Sequence, residues 1–274
     1  MISRFNIDDE SYTAVYPESN GQPPLIGNVK HSPGDRSAHL TYLLPNLPEP
    51  HAGLLELLDE LSLRSGEMQA TNLLAEVVDS DPILEVLRKS GFSIYGWETI
   101  WKLPSRLAGV DSVTPHWETM TSRGEPSVRS LYQTLVPPLV QAAEPYSGAD
   151  IHRLVYRNNG EMVAYVESSS GPKGIYLKPI IHPAVENPQE LLVELVHIFD
   201  GLGKPIYLQM RSYQAWLTSF LEKLPAETSV HFALMVRHLA LPQYAVNTAH
   251  RARVNHRQTE TSASILQKMS DQDK

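Results

Sequence analysis

Ser80-Asp81-Pro82-Ile83-Leu84-Glu85-Val86-Leu87-Arg88-Lys89-Ser90-Gly91-Phe92 is a short helix with both ends written into it. Asp81 is an N-capping residue, and Pro82 suits the first helical turn, where a missing N–H costs nothing. Gly91 supplies the left-handed residue that commonly ends such a helix. Just upstream, Thr71 to Val78 is an apolar run of strand length. Just downstream, Phe92 to Leu103 reads as a last strand or hairpin. Before these, Leu54, Leu57, Leu58 and Leu61 recur at i, i+3, i+4 and i+7, so Gly53 opens a helix with one buried face. A proline-rich loop, Pro45 to Pro50, precedes it. Tyr12–Tyr16, Leu25–His31 and Ser37–Leu44 read as three strands broken by Asn20-Gly21 and Ser32-Pro33-Gly34-Asp35, an antiparallel meander.

The same order then returns. Ile175–Ile181 is a strand ended by Pro183. Asn187-Pro188-Gln189-Glu190 has the form of a capping box with proline at the first helical position. A helix from Leu191 to Phe199, a strand from Pro205 to Met210, a helix from Ala215 to Leu224 and a strand from His231 to Leu239 follow. The two copies lie roughly 135 residues apart, far more than the about 20–50 of a solenoid unit, so the repeat is a whole domain. The sequence therefore predicts a mixed α/β fold with two tandem domains, 1–104 and 112–241. Residues 105–111 link them, and a polar, mobile tail, 242–274, follows. The second copy carries extra elements first: a strand in Val113–Thr121, a helical stretch Pro126–Glu144 broken at Pro137-Pro138, and a hairpin around Asn158-Asn159-Gly160. The first copy is abbreviated by comparison.

Composition narrows the function. The 274 residues contain no cysteine, which removes disulfides, thiolate metal sites and cysteine nucleophiles. Hydrophobic residues make up 42% and charged residues 20%, as in ordinary globular proteins. The net charge of −8 disfavours a nucleic-acid partner, which needs clustered Lys and Arg. Arg251, Arg253 and Arg257 form the one basic cluster, read as a solvated tail. No apolar run reaches membrane-spanning length, and Met1 to Glu10 lacks a signal-peptide core, so a cytoplasmic protein without membrane contact is expected. No His-x-x-x-His pair supports a metal, and no G-x-G-x-x-G or P-loop supports a nucleotide enzyme.

Meander, proline break, apolar helix, strand, short helix closing in Gly91-Phe92, final strand: this order resembles the GNAT superfamily of N-acetyltransferases. The resemblance spans both copies up to Leu241 and is clearest over Ser80–Phe92; in the second copy Pro225-Ala226 stands where Gly-Phe would. It implies transfer of an acyl group from acetyl-CoA, or another acyl-CoA, to an amine acceptor. By that resemblance the first copy's thioester edge is Tyr42, Leu43 and Leu44, and its pyrophosphate loop is His51, Ala52, Gly53 and Leu54. The second copy's edge is Ile180, Ile181 and His182, with Asn187 in the loop Glu186–Gln189. Both loops depart from the family's Gly- and Arg-rich pattern. Pro50 and Pro188 remove donors, and Glu49, Glu186 and Glu190 oppose an anion. The position of the family's proton-returning tyrosine holds Leu87 in one copy and Leu221 in the other. No catalytic residue is therefore assigned, and a non-catalytic module that binds a ligand or protein partner is the rival reading.

Other residues have a plain structural reading beside the functional one. His182 is a capping histidine or a base near the thioester. His51 is a phosphate donor or a packed histidine. Glu76 is a base or a solvent-facing strand residue. Tyr207 and Tyr213 flank the second short helix and either pack or replace the missing tyrosine. Trp97, Trp101 and Trp216 are expected in the core.

Overall fold

The computed structural model describes residues 10–18, 21–46, 51, 53–105, 116–147, 152–158 and 160–239, all within the unit Met1–Leu241. The linker from residue 106 on, Ala52 and the tail lie outside the described residues. The first half runs β1 (Glu10–Tyr16), β2 (Leu25–His31), β3 (Ser37–Leu44), α1 (Leu54–Glu67), β4 (Asn72–Val78), α2 (Ile83–Lys89) and β5 (Ser93–Leu103). The second opens with β6 (Trp117–Thr119), α3 (Glu125–Leu135) and α4 (Pro138–Ala143). It continues β7 (Arg153–Asn158), β8 (Glu161–Gly171), β9 (Gly174–Ile181), α5 (Pro188–His197), β10 (Ile206–Arg211), α6 (Thr218–Leu221) and β11 (Glu227–His238).

The end of α2 shows how the sequence sets the geometry. The Asp81 carboxylate accepts the Ile83 N–H at 2.9 Å. Gly91 takes φ +92, its N–H reaches the Arg88 carbonyl, and the Phe92 N–H reaches back to Leu87. That pair of bonds is the Schellman motif, and the buried Phe92 and Leu87 share one core cluster. The capping box at α5 does not form its side-chain bond: Asn187 caps the helix with backbone alone. The segment expected as one helix, Ala215–Leu224, is instead a 3₁₀ stretch, Ser212–Leu217, followed by the single turn of α6. Trp101 is buried as expected, but Trp97 is 36% exposed.

All eleven strands among the described residues make one mixed sheet, ordered β1-β2-β3-β4-β11-β5-β10-β9-β8-β7-β6. The last strands are exchanged between halves. β11 of the second half pairs antiparallel with β4 of the first, and β5 of the first pairs antiparallel with β10 of the second. β5 and β11 also pair with each other at the sheet's centre. α1 and α2 cover one face of the first half, with Leu57, Leu58 and Leu61 packed in the cluster of Val29, Leu73 and Met235. α5 and α6 do the same for the second half, around Leu177, Leu191, Leu195 and Leu208. α3 and α4 lie on the opposite face, where Val128, Leu131 and Val140 meet Val155, Tyr165 and Ile180. The alternation of a strand sends its other residues to this second face.

Candidate functional site

Each half contains one parallel strand pair, and both pairs part company midway. β3 and β4 are paired at Ser37↔Asn72, Ala38↔Leu73 and His39↔Leu74, and no farther, although β3 runs on to Leu44 and β4 to Val78. The register of β2 against β3 slips just there, between Asn28↔Tyr42 and Val29↔Leu40. Such a bulge bends a strand and raises its twist. Thr41 at the bulge donates to the Asn28 side chain and carbonyl. β9 and β10 likewise pair only at Ile175↔Ile206, Tyr176↔Tyr207 and Leu177↔Leu208. Pro179 follows two residues later and has no N–H to offer a ladder. The resemblance placed the first edge at Tyr42–Leu44; the strands already separate after His39.

The two grooves differ in what fills them. In the second half Gln214 is 2% exposed and reaches across to β9. Its Oε1 accepts the Ile181 N–H at 2.9 Å, and its Nε2 donates to the Pro179 carbonyl at 2.7 Å. A side-chain carboxamide thus takes the two backbone groups that an extended ligand would pair with. The Ile181 amide, expected to face a thioester, is already satisfied. The loop after β9 is equally occupied: the Ala184 N–H bonds His182 Nδ1, and the Val185 N–H bonds the His182 carbonyl. His182 is a local capping residue. Asn187, Glu186 and Glu190 are exposed beside it.

In the first half no described side chain bridges the parted strands by a hydrogen bond. Tyr42 and Leu44 are exposed, while Leu43 packs toward α1. His51 is 4% exposed; its Nδ1 accepts the Gly53 N–H at 2.9 Å, and its Nε2 is enclosed without a partner among the described residues. Gly53 is required sterically, because a Cβ there would meet the Tyr16 ring at 2.2 Å. Leu54 is core.

Between the grooves, on the α3/α4 face, lies a cavity of about 230 Å³. His39 of β3, Lys178 of β9, Gln209 and Arg211 of β10, Glu144 after α4, and Tyr132, Tyr165 and Tyr213 line it. Arg211 is held between two carboxylates, with Nε 3.2 Å from Glu98 and Nη2 3.0 Å from Glu144. Tyr95 donates to Glu144, and Gln209 to Glu98. The two carboxylates are driven apart in acidity. Burial raises the Glu98 pKa and outweighs the neighbouring Arg211. Burial acts on Glu144 too, but Arg211, Lys178 and the Tyr95 hydroxyl hold it below the ordinary carboxylate value. Burial lowers the His39 pKa below its ordinary 6.5, with Lys178 acting in the same sense and Glu144, Glu76 and Asp35 against it. His39 keeps an exposed surface at the cavity, and the protein packed about it is what disfavours its charge. A neutral imidazole at the point where β3 and β4 part can accept a proton. Burial pushes Tyr95, Tyr132, Tyr165 and Tyr213 up, so they stay protonated.

Sequence reasoning did not single out His39, Lys178, Glu144, Arg211 or Gln214. They come from different elements of both halves, and no spacing connects them. Of the residues weighed earlier, Tyr213 lines the cavity, and Glu76 acts electrostatically on His39. Tyr207 packs against Gly174, where a Cβ would meet its ring at 2.6 Å. No group of metal ligands occurs among the described residues, and no described helix is long and apolar enough to cross a membrane.

No family model and no curated protein matches the sequence. Solved structures do match. A GCN5-related N-acetyltransferase from Kribbella flavida is 14% identical, with TM-score 0.50, over 78% of this chain and 86% of that one. One from Sphaerobacter thermophilus is 10% identical, with TM-score 0.49, over 78% and 76%. A tandem GNAT protein from the clavulanic acid biosynthesis pathway is 14% identical, with TM-score 0.47, over 84% and 83%. The chain has the fold of the GNAT superfamily, a mixed α/β architecture, and the Kribbella flavida match carries that assignment.

Proposed function

We propose that this chain is an acyl-CoA-dependent N-acyltransferase that takes its cofactor in the first half's groove alone. The observation that carries the reading is the contrast between the grooves. The β3/β4 groove parts at a neutral His39 beside a cavity, and the β9/β10 groove is closed by Gln214. The first half fits the cofactor that the fold implies. Leu40 to Leu44 would present a free strand edge to the pantetheine arm. The enclosed, unpartnered His51 Nε2 at the start of α1 would face its phosphates, where the helix dipole favours an anion. The second half's groove does not fit the cofactor, because Gln214 already occupies its strand edge. When bound, an acyl-CoA supplies an acyl group activated as a thioester. The chain's own task is the acceptor: an amine must lose a proton on becoming an amide, and His39 is placed to receive it at a ring nitrogen. Glu144 and the tyrosines hold the cavity's shape around that position.

Calorimetric titration with acetyl-CoA and free CoA tests this. The expected stoichiometry is one per chain. His39→Ala is expected to slow acyl transfer by about 10²–10⁴-fold, the usual contribution of a positioned base. Absence of binding at millimolar ligand refutes the enzyme reading. In that event the open groove and cavity belong to a non-catalytic GNAT-like binding module. The closed second groove already favours that description for its own half.

A further inference from the structure

The cavity beside His39 is lined unevenly in charge. Asp35 and Arg36 stand at its β3 end, with Glu76 of β4 close enough to act on His39. Lys178 and Arg211 stand at its β9/β10 end. Glu167 is tied to Arg153 at 3.1 Å and Glu144 to Arg211, so neither is a free anion. The Lys178 side chain forms no hydrogen bond or salt bridge among the described residues. Arg211 is 8% exposed, and its Nη1 has no partner among the described residues. Tyr165, 2% exposed, lines the cavity with a hydroxyl that bonds no described group. A buried guanidinium leaves a donor unused only at a cost, which a ligand oxygen would remove.

We propose that the cavity is a binding site for a small amine carrying a carboxylate, an amino-acid-like zwitterion. Its carboxylate sits between Lys178 and Arg211, and its amine lies toward His39. The identification rests on the acyltransferase reading only in naming this molecule as the acceptor; the charge placement stands without it. The carboxylate of the ligand matches the Lys178 and Arg211 end of the cavity, and its amine faces the neutral His39. A simple amine would leave Lys178 and the Arg211 Nη1 unanswered. The volume, about 230 Å³, falls below the roughly 300–1,000 Å³ of sites for drug-sized ligands and suits a single small molecule. Arginine's fork favours a carboxylate over a neutral oxygen.

The test is calorimetry on the full chain without any acyl-CoA. Amino acids are titrated beside their decarboxylated amines: L-tyrosine with tyramine, L-ornithine with putrescine, L-alanine with ethylamine. At least one amino acid is expected to bind about tenfold or more tightly than its amine, a difference of ~1.4 kcal/mol. Lys178→Met should shrink that preference to within about threefold. The Lys178 side chain is exposed to the cavity and bonds no described group, so this variant avoids the folding penalty of touching Arg211. Amines binding as well as amino acids, or no binding by either at millimolar concentration, overturns the proposal. Because acyl-CoA is absent, this failure is separate from failure of the acetyl-CoA titration.

Discussion

Replacing Gln214 by leucine tests whether a side chain holds the second groove shut. The residue is 2% exposed, and its carboxamide satisfies the Ile181 N–H at 2.9 Å and the Pro179 carbonyl at 2.7 Å. Leucine has similar bulk and no polar atom, so it keeps water out while leaving both backbone groups bare. Each buried group left without a partner costs about 1–3 kcal/mol, so the pair predicts a loss of about 2–6 kcal/mol. That is a large part of the ~5–15 kcal/mol that stabilises an ordinary domain. Gln214→Ala should fall at the low end, because the space it vacates admits water that rebonds the strand edge. Urea unfolding gives both values if the transition stays two-state with an unchanged m. Hydrogen exchange at the Ile181 amide should rise in both variants. A Gln214→Leu protein within about 0.5 kcal/mol of the parent, with Ile181 still protected, would refute the claim that this side chain closes the groove.

Other perturbations reach different parts of the argument. Gly91→Ala forces a side chain into φ +92 and should cost about 1–2 kcal/mol, read from the same unfolding curves. Arg211→Met leaves Glu98 and Glu144 in a buried site without their cation. A loss of about 3–5 kcal/mol or failure to fold is expected, whereas an unchanged midpoint would show that the network is dispensable. The folded-state pKa of His39 lies below 6.5, so transfer should fall on acidification with a midpoint under 6.5. A midpoint above 6.5 would remove His39 as the base. The same shift makes the unfolded chain bind the proton more readily. His39 therefore costs nothing at neutral pH and lowers stability progressively below 6.5, measurable by unfolding in acid. Glu144, whose pKa is depressed, adds stability above 4.5 that is lost as pH falls through its folded value.

Much of the fold was legible because it is encoded locally. The apolar spacing Leu54-Leu57-Leu58-Leu61 put one face of α1 inward, and those four side chains are buried. Asp81-Pro82 and Gly91-Phe92 bounded α2 because caps and left-handed glycines act within one turn. The order of elements gave the mixed α/β class, since apolar strands and one-sided helices must bury each other. Local rules failed where a distant group competes. Asn187 had the sequence of a capping box, but its side chain makes no such bond. Ala215–Leu224 had the composition of a helix, but Gln214 just before it is drawn to β9 and sits at φ −111 in a 3₁₀ stretch.

The sequence by itself determined most of the elements and their order, because each depends on neighbours within a few residues, and composition alone removed cysteine chemistry. Only the tertiary structure decided that β5 and β11 cross between the halves, since strand partners far apart in the chain are chosen by packing and not by propensity. The cavity follows from that exchange. It gathers His39 of one half with Glu144, Lys178 and Arg211 of the other, and buried charges acquire their meaning from partners in space. The closing of the second groove comes down to a single glutamine, whose effect appears once the strand edge it meets is in place.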